Sequence, residues 1–283
     1  MGTIELHPWN RNFAWTDRAA PFRRLDADQV AAFDRDGFLV LPDVFGDDEL
    51  DPLVEALDRN EAVTDEFLRS RADERIAIAE SGAITFTVHL VEREPAAAAF
   101  VRSPVFADLC HDLVGPDVRL YWDQAVYKKP EKPRRFPWHQ DNGYAFVEPQ
   151  QYLTCWVALT DATVDNGCPQ VIPGLHRAGT YRHRYVDPLG WEILESHPDA
   201  VAAPVGRGGI VVFSSLTPHL TGPNLTDAVR KAYIVQFAPD GAAVLVGDPA
   251  AGEPTGRVPA NAPGRQFPIL LGGRPVPPTP EHR

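Results

Sequence analysis

With 283 residues, 44% of them hydrophobic and 23% charged, the chain is long enough for one large domain with a well-buried core. A formal net charge of −12 argues against a nucleic-acid partner. The longest apolar runs are short and broken by Asp, Arg or Pro, so no membrane-spanning helix and no membrane partner are expected.

The start, MGTIELHPWNRNF, lacks the basic residues and apolar run of a signal peptide, and Leu6 stands where a myristoylation signal needs Ser or Thr. Cys110, Cys155 and Cys168 form no CxxC pair and leave one cysteine over in any disulfide scheme, which reads as a reducing cytoplasm. Residues 1 to about 25 read as an irregular arm carrying Trp9, Phe13, Trp15 and Phe22. LDADQVAAFDRDGFLVLPDVF then predicts a short helix, a turn at Gly37 and a strand from Phe38 to Leu41, with Asp26 as cap and Gln29 completing a capping box. A second helix follows in GDDELDPLVEALDRNEAV, with Leu50, Leu53, Val54 and Leu57 on one face. RSPVFADLCHDLVG repeats the pattern through Phe106, Leu109, Cys110 and Leu113, and stops at Gly115.

From Val118 the period changes to that of short strands: DVRLYWDQAVYKKP, QYLTCWVALTDAT, CPQVIP, GGIVVFSS and KAYIVQFAP, bounded by Gly, Pro, Asn and Asp. Such a series suggests a sandwich or jelly roll. Residues 174–203 read as a lid or insertion, and the apolar run FPILL in the Pro- and Gly-rich tail reads as a segment docking back on the body. Helices followed by strands give an α+β, mainly β, single domain over residues 1–283, with its β core at about 118–239 and its tail at 240–283.

PWHQDNGY sets His139 and Asp141 two residues apart, so that on an extended strand both side chains leave the same face. SSLTPHLTGPN supplies His219 after a connection long enough to leave the sheet and return. Two imidazoles and a carboxylate on one side of an ion form the facial triad of non-haem Fe(II). Taken alone an HxD tripeptide is weak, since most such pairs are ordinary polar residues. Arg230, just before KAYIVQF, adds a planar fork suited to the far carboxylate of a chelating dicarboxylate, and Thr221 a hydroxyl beside it. Singly, Arg230 would read as a surface salt bridge. His89 reads as a core or near-core residue that lines a pocket at most. His7, His111, His176, His183, His197 and His282 lack a paired carboxylate and read as structural or surface residues. The loop KKPEKPRRF, with Lys128, Lys129, Lys132, Arg134 and Arg135, reads either as a solvated loop or as an attractor for an anionic substrate.

Five blocks in order resemble the phytanoyl-CoA dioxygenase family of Fe(II)/2-oxoglutarate-dependent oxygenases: DGFLVLPDVF, DQAVYKKP, WHQDNGY, LTCWVALTDATVDNGCPQVIPGLHR and HLTGPNLTDAVR. They run from about Leu25 to Pro239, and Leu175 stands where the family has Ser in its PGSHR turn. The resemblance implies a double-stranded β-helix, a cupin-like jelly roll, with the N-terminal helices packed on one side. It implies iron ligation by His139, Asp141 and His219, and 2-oxoglutarate anchoring by Arg230 and Thr221, with Gln124 and Trp156 along the co-substrate pocket. Asn224 and the turn from Gly174 to Arg177 would hold the scaffold. Because Asp141 is present where related halogenases carry a small residue, the implied reaction is hydroxylation of a small organic molecule, consuming O2 and releasing succinate and CO2. Two other readings of the same residues are a zinc-type metallohydrolase and a non-catalytic jelly-roll binding protein. Oligomeric state is not legible.

Overall fold

The computed structural model describes residues 4–131 and 133–277. In chain order these form α1 (Ala27–Asp36), β1 (Phe38–Leu41), α2 (Asp47–Arg69), β2 (Arg75–Ile76), β3 (Ala79–Glu80), β4 (Ile84–Val88), α3 (Pro95–Phe100), α4 (Pro104–Leu113) and the long β5 (Val118–Lys128). There follow β6 (Val147–Glu148), β7 (Leu153–Ala158), β8 (Pro169–Val171), β9 (Arg184–Val186), β10 (Gly190–Glu192), β11 (Val201–Ala202), β12 (Ile210–Ser214) and β13 (His219–Thr221). The last elements are β14 (Arg230–Pro239), β15 (Ala243–Val246), β16 (Gly256–Pro259), β17 (Pro268–Leu271) and β18 (Arg274–Pro275).

The helices start and stop where their ends are satisfied. Asp26 accepts from the Gln29 amide at 2.8 Å and Gln29 Oε1 accepts from the Asp26 amide at 3.0 Å, which closes the expected capping box. Gly37 ends α1 with φ +83°, and a Cβ there would meet His176 Nδ1 at 2.5 Å and Thr217 Oγ1 at 2.6 Å, so both conformation and space require glycine.

One large antiparallel sheet runs β1-β12-β7-β14-β5-β4-β3-β2, with β17 added beside the start of β5. Alternation along its strands separates two faces. Leu120, Ala125 and Tyr127 of β5, Tyr233, Val235 and Phe237 of β14, and Cys155 and Val157 of β7 face the helices and share a core with Leu50, Leu53, Phe106 and Leu109. Each of the larger aliphatic and phenylalanine side chains among them stabilises the fold by roughly 1.5–3 kcal/mol. The opposite, inner face carries Val126, Trp156, Phe213, Ala232 and Ile234 and packs against Cys168, Ala203 and Val205. A small sheet, β11-β8-β13, covers that inner face. The result is a double-stranded β-helix of cupin type, open rather than closed into a barrel among the described residues, with the helices on one side.

The tail docks as expected, because FPILL supplies β17 against Val118 and Arg119. The arm is irregular but fastened: the Trp9 indole donates to Gly252 O at 2.6 Å and the Trp15 indole to Asp34 Oδ1 at 3.0 Å. The stretch 174–203 holds the β9–β10 hairpin and is tied beside the HxD block, where the Ile193 amide donates to Trp138 O at 2.8 Å. His282 lies outside the described residues.

Candidate metal and co-substrate site

His139 and His219 face each other across a two-bond antiparallel bridge, His139 N to His219 O at 3.1 Å and His219 N to His139 O at 2.9 Å. Each ring is turned by a carbonyl two residues earlier: His139 Nδ1 lies 3.1 Å from Pro137 O, and His219 Nδ1 lies 3.0 Å from Thr217 O. A carbonyl can only accept, so each Nδ1 carries the proton and each Nε2 is left as a free electron-pair donor. The expected strand geometry of the HxD motif is corrected in one respect. Asp141 opens a 3-10 turn, Asp141–Gly143, and an extended Gln140 (φ −104°, ψ 145°) alone keeps it on the His139 side. His139, Asp141 and His219 bring one ligand atom each within 4.8 Å of one another.

The residues around the triad were not legible as such. Thr154 Oγ1 donates to Asp141 Oδ2 at 2.5 Å, and Gln236 Nε2 reaches Thr154 Oγ1 at 3.4 Å. Gln140 is fully buried, with its amide donating to Gly179 O at 3.0 Å and Leu216 O at 2.5 Å. His183, read from sequence as structural, accepts from the Gln140 amide at 2.9 Å, so it supports the backbone between two triad members. Burial pushes the pKa of His139 and of His219 down to about 4 and raises that of Asp141. Neutral imidazoles able to donate electron pairs are the result.

Arg230 opens β14 on the inner face, is 1% exposed, and has no hydrogen-bond partner at Nε, Nη1 or Nη2 among the described residues. Burial brings its pKa down to about 10, so it remains a cation. Trp156 lies beneath it, with its ring centre 5.1 Å from the guanidinium carbon. A buried, wholly unpaired guanidinium is unstable unless an anion comes to it, which makes it the group that best fits a carboxylate ligand. Its cross-strand neighbour Lys128 is fully buried as well, donating to Thr221 O at 2.8 Å and Gly222 O at 2.5 Å above the Phe136 ring. Thr221 sits two residues beyond His219 on β13, a strand step of about 7 Å, within the reach of a five-carbon dicarboxylate. Gln124 is on the same inner face, opposite Ile234, and accepts from the Trp122 indole at 3.2 Å.

Asn224 and the Gly174–Arg177 turn make scaffold contacts. The Asn224 amide donates to Lys128 O at 2.8 Å and Ala228 O at 2.6 Å, while His176 and Arg177 both reach Asp34 O at the end of α1. Among its described residues the basic loop is not a free cationic patch. Lys128 is buried, Lys129 pairs with Glu61 and Asp65, Arg134 with Glu80 and Glu131, and Arg135 with Glu192, so the charge is neutralised within the chain. Lys132 lies outside the described residues.

The family model for phytanoyl-CoA dioxygenase matches residues 33–232, well over half of the chain. The chain belongs to the phytanoyl-CoA dioxygenase family. It is 30% identical over 229 residues to an ectoine dioxygenase of Bordetella bronchiseptica, a match covering 71% of each chain. EvdO2 from Micromonospora carbonacea var. aurantiaca, solved in complex with 2-oxoglutarate, shares 28% identity at a TM-score of 0.60 over 81% of this chain and 96% of its own. The carbocyclase SnoK from nogalamycin biosynthesis, non-heme and alpha-ketoglutarate-dependent, shares the fold at a TM-score of 0.67 and 22% identity, covering 83% and 94%. Family, fold and triad together make the chain a 2-oxoglutarate-dependent dioxygenase that uses iron.

Proposed function

We propose that this dioxygenase hydroxylates an unactivated C–H bond of a small organic molecule, releasing succinate and CO2. The observation that carries the proposal is Arg230, a buried cation on the face that holds the triad, without a hydrogen-bond partner among the described residues. His139, Asp141 and His219 would hold Fe(II), leaving the remaining coordination positions to 2-oxoglutarate and O2. Iron with 2-oxoglutarate supplies the O2-activating chemistry when bound. The chain's own residues orient and enclose. Arg230, with Trp156 beneath it, would hold the far carboxylate of 2-oxoglutarate, and Thr221 and Gln124 would line the path. Thr154 holds the Asp141 carboxylate by its outer oxygen, and the carbonyls of Pro137 and Thr217 fix the rings. Phe213, 4.4 Å from the His219 ring, keeps water from the inner side.

A zinc hydrolase would need the triad but leaves Arg230 without a purpose, and a binding module without turnover would need neither. The three cysteines are free and buried, in keeping with a reducing cytoplasm; among the described residues no helix is long and apolar enough to cross a membrane. The test is an anaerobic titration of the metal-free protein with Fe(II) and then 2-oxoglutarate, followed by visible absorption. A weak charge-transfer band that needs both components supports chelation at an open iron site. Binding of Zn(II) with no effect of 2-oxoglutarate would overturn the reading.

A further inference from the structure

At the end of β4 the chain makes a costly turn. His89 has φ +55° and ψ +42°, a left-handed conformation that a non-glycine residue keeps only where its surroundings enforce it. The enforcement is visible. Asp123, 1% exposed on β5, accepts from the Leu90 amide at 2.7 Å, the Val91 amide at 3.2 Å and the Tyr233 hydroxyl at 2.9 Å, while the His89 amide donates to Asp123 O at 2.9 Å. A buried carboxylate and a buried tyrosine thus clamp three consecutive residues so that one imidazole points a particular way.

The ring lies edge-on to Trp122, 4.3 Å between centres, and its nitrogens have no hydrogen-bond partner among the described residues. Trp122 belongs to the inner face. It stands opposite Gln236, whose amide touches Thr154, which in turn holds Asp141. A continuous surface therefore leads from the triad to His89, at the end of the inner face away from Arg230.

A second group without a partner comes from the tail. Gln266 donates to Tyr121 O at 3.1 Å, and a Cβ on Gly264 would lie 3.8 Å from Glu92 Oε1, so Arg265 is strung between the backbone next to Trp122 and the turn after His89. Arg265 is half-buried and makes no ion pair or hydrogen bond among the described residues. Burial first, and then the charge of Arg265, depress the His89 pKa, with Glu92 opposing and Arg93 adding to it. Arg93 is already occupied by Asn60 at 2.8 Å.

We propose that His89, Trp122 and Arg265 form the substrate-recognition corner of the site, and that its ligand is a small molecule bearing a single carboxylate on a flat or apolar body. The guanidinium takes the carboxylate, the imidazole donates the second hydrogen bond, and the body rests on the indole with its reacting carbon toward the triad. One guanidinium and one neutral imidazole in a chain of net charge −12 suit a monoanion better than a phosphate dianion. The inference rests on the dioxygenase reading for its direction but not for its test.

The test uses the 2-oxoglutarate-loaded protein with Ni(II) in place of iron, so that nothing turns over. Probes are 3-phenylpropionate and hexanoate, each against its primary amide, with phenyl phosphate as the dianion. The readout is the His89 imidazole NMR signal, assigned by its loss in His89→Asn, a replacement that tolerates the left-handed backbone. The carboxylates should shift that signal and bind about tenfold or more tighter than their amides, and Arg265→Gln should erase the difference. Equal binding of acid and amide, a preference that survives Arg265→Gln, tighter binding of phenyl phosphate, or no probe moving the signal would each overturn the proposal. Binding of 2-oxoglutarate, measured on the same samples, reports separately on the dioxygenase reading.

Discussion

A guanidinium that is 1% exposed and without a hydrogen-bond partner among the described residues sets the strongest constraint on single residues. In the ligand-free protein Arg230 is a liability, and its removal relieves a desolvated charge. Arg230→Ala should therefore weaken 2-oxoglutarate binding by roughly 2–5 kcal/mol while leaving the urea midpoint of the ligand-free protein unchanged or raised. Calorimetric titration beside urea denaturation checks both halves; a variant that binds as the parent does, or that loses stability, contradicts the assignment. Thr154 acts through Asp141 instead. Thr154→Val, nearly isosteric, should lower metal affinity by about 10–100-fold in a chelator competition, and Thr154→Ser should restore most of it. At this scale the sequence singles out His139, Asp141, His219 and Arg230 as candidates because iron and a dicarboxylate accept few ligand types, and the structure brings the first three within 4.8 Å of one another and buries the fourth. It does not reach Thr154, Gln236 or Lys128, whose roles depend on which strands lie side by side.

Among the elements, the strands β5 and β13 show how one side chain can hold a site together. Lys128 joins its own strand to the two carbonyls that follow His219, and its ammonium lies 3.4 Å over Phe136, three residues before His139. It is thus a positioning residue for both histidine-bearing segments. Lys128→Met keeps the volume but leaves the Thr221 and Gly222 carbonyls without their donor, so stability should fall by roughly 1–3 kcal/mol. Amide hydrogen exchange at Leu220 and Gly222 should quicken and metal affinity should drop. Unchanged exchange there would show that the strand holds itself. Helix and strand positions were legible because periods of 3.6 and 2 are local properties, and β1 falls on Phe38–Leu41 as the pattern predicts. The turn at Asp141 was not, since an HxD on an extended run gives no local sign that DNG will fold into a 3-10 turn. The pairing of the basic loop was not legible for a similar reason: its acidic partners, Glu61, Asp65, Glu80 and Glu192, come from distant elements.

At the scale of the whole molecule, His176, in the 3-10 turn Leu175–Ala178 that follows β8, joins that turn to the helical layer. Fully buried, it sets Nε2 3.2 Å from Asp34 O at the end of α1 and packs edge-on against Trp15 of the arm, 4.4 Å between ring centres. The layer order was legible from helices preceding strands, but this junction was not, because a PGLHR turn does not announce which helix it will meet. Burial pushes the His176 pKa from 6.5 down to about 4. The unfolded chain therefore binds a proton at this residue between those two values while the folded chain does not. Stability contributed by neutral His176 is complete above the unfolded pKa, declines as pH falls from about 6.5 to about 4, and then levels off. Over that window the loss should approach roughly 3 kcal/mol from this residue alone. Asp123, with its pKa raised to about 6 by burial, acts in the opposite sense, while burial lowers His7, His139, His183 and His219 as it does His176, so the parent's own pH profile blends several groups. The difference between parent and His176→Gln isolates the imidazole: urea midpoints of the two should lie furthest apart above pH 6.5 and converge by about pH 4. A gap that stays constant across that range would mean that His176 keeps an ordinary pKa and that α1 is held by its other contacts, Arg177 to Asp34 O at 2.7 Å among them.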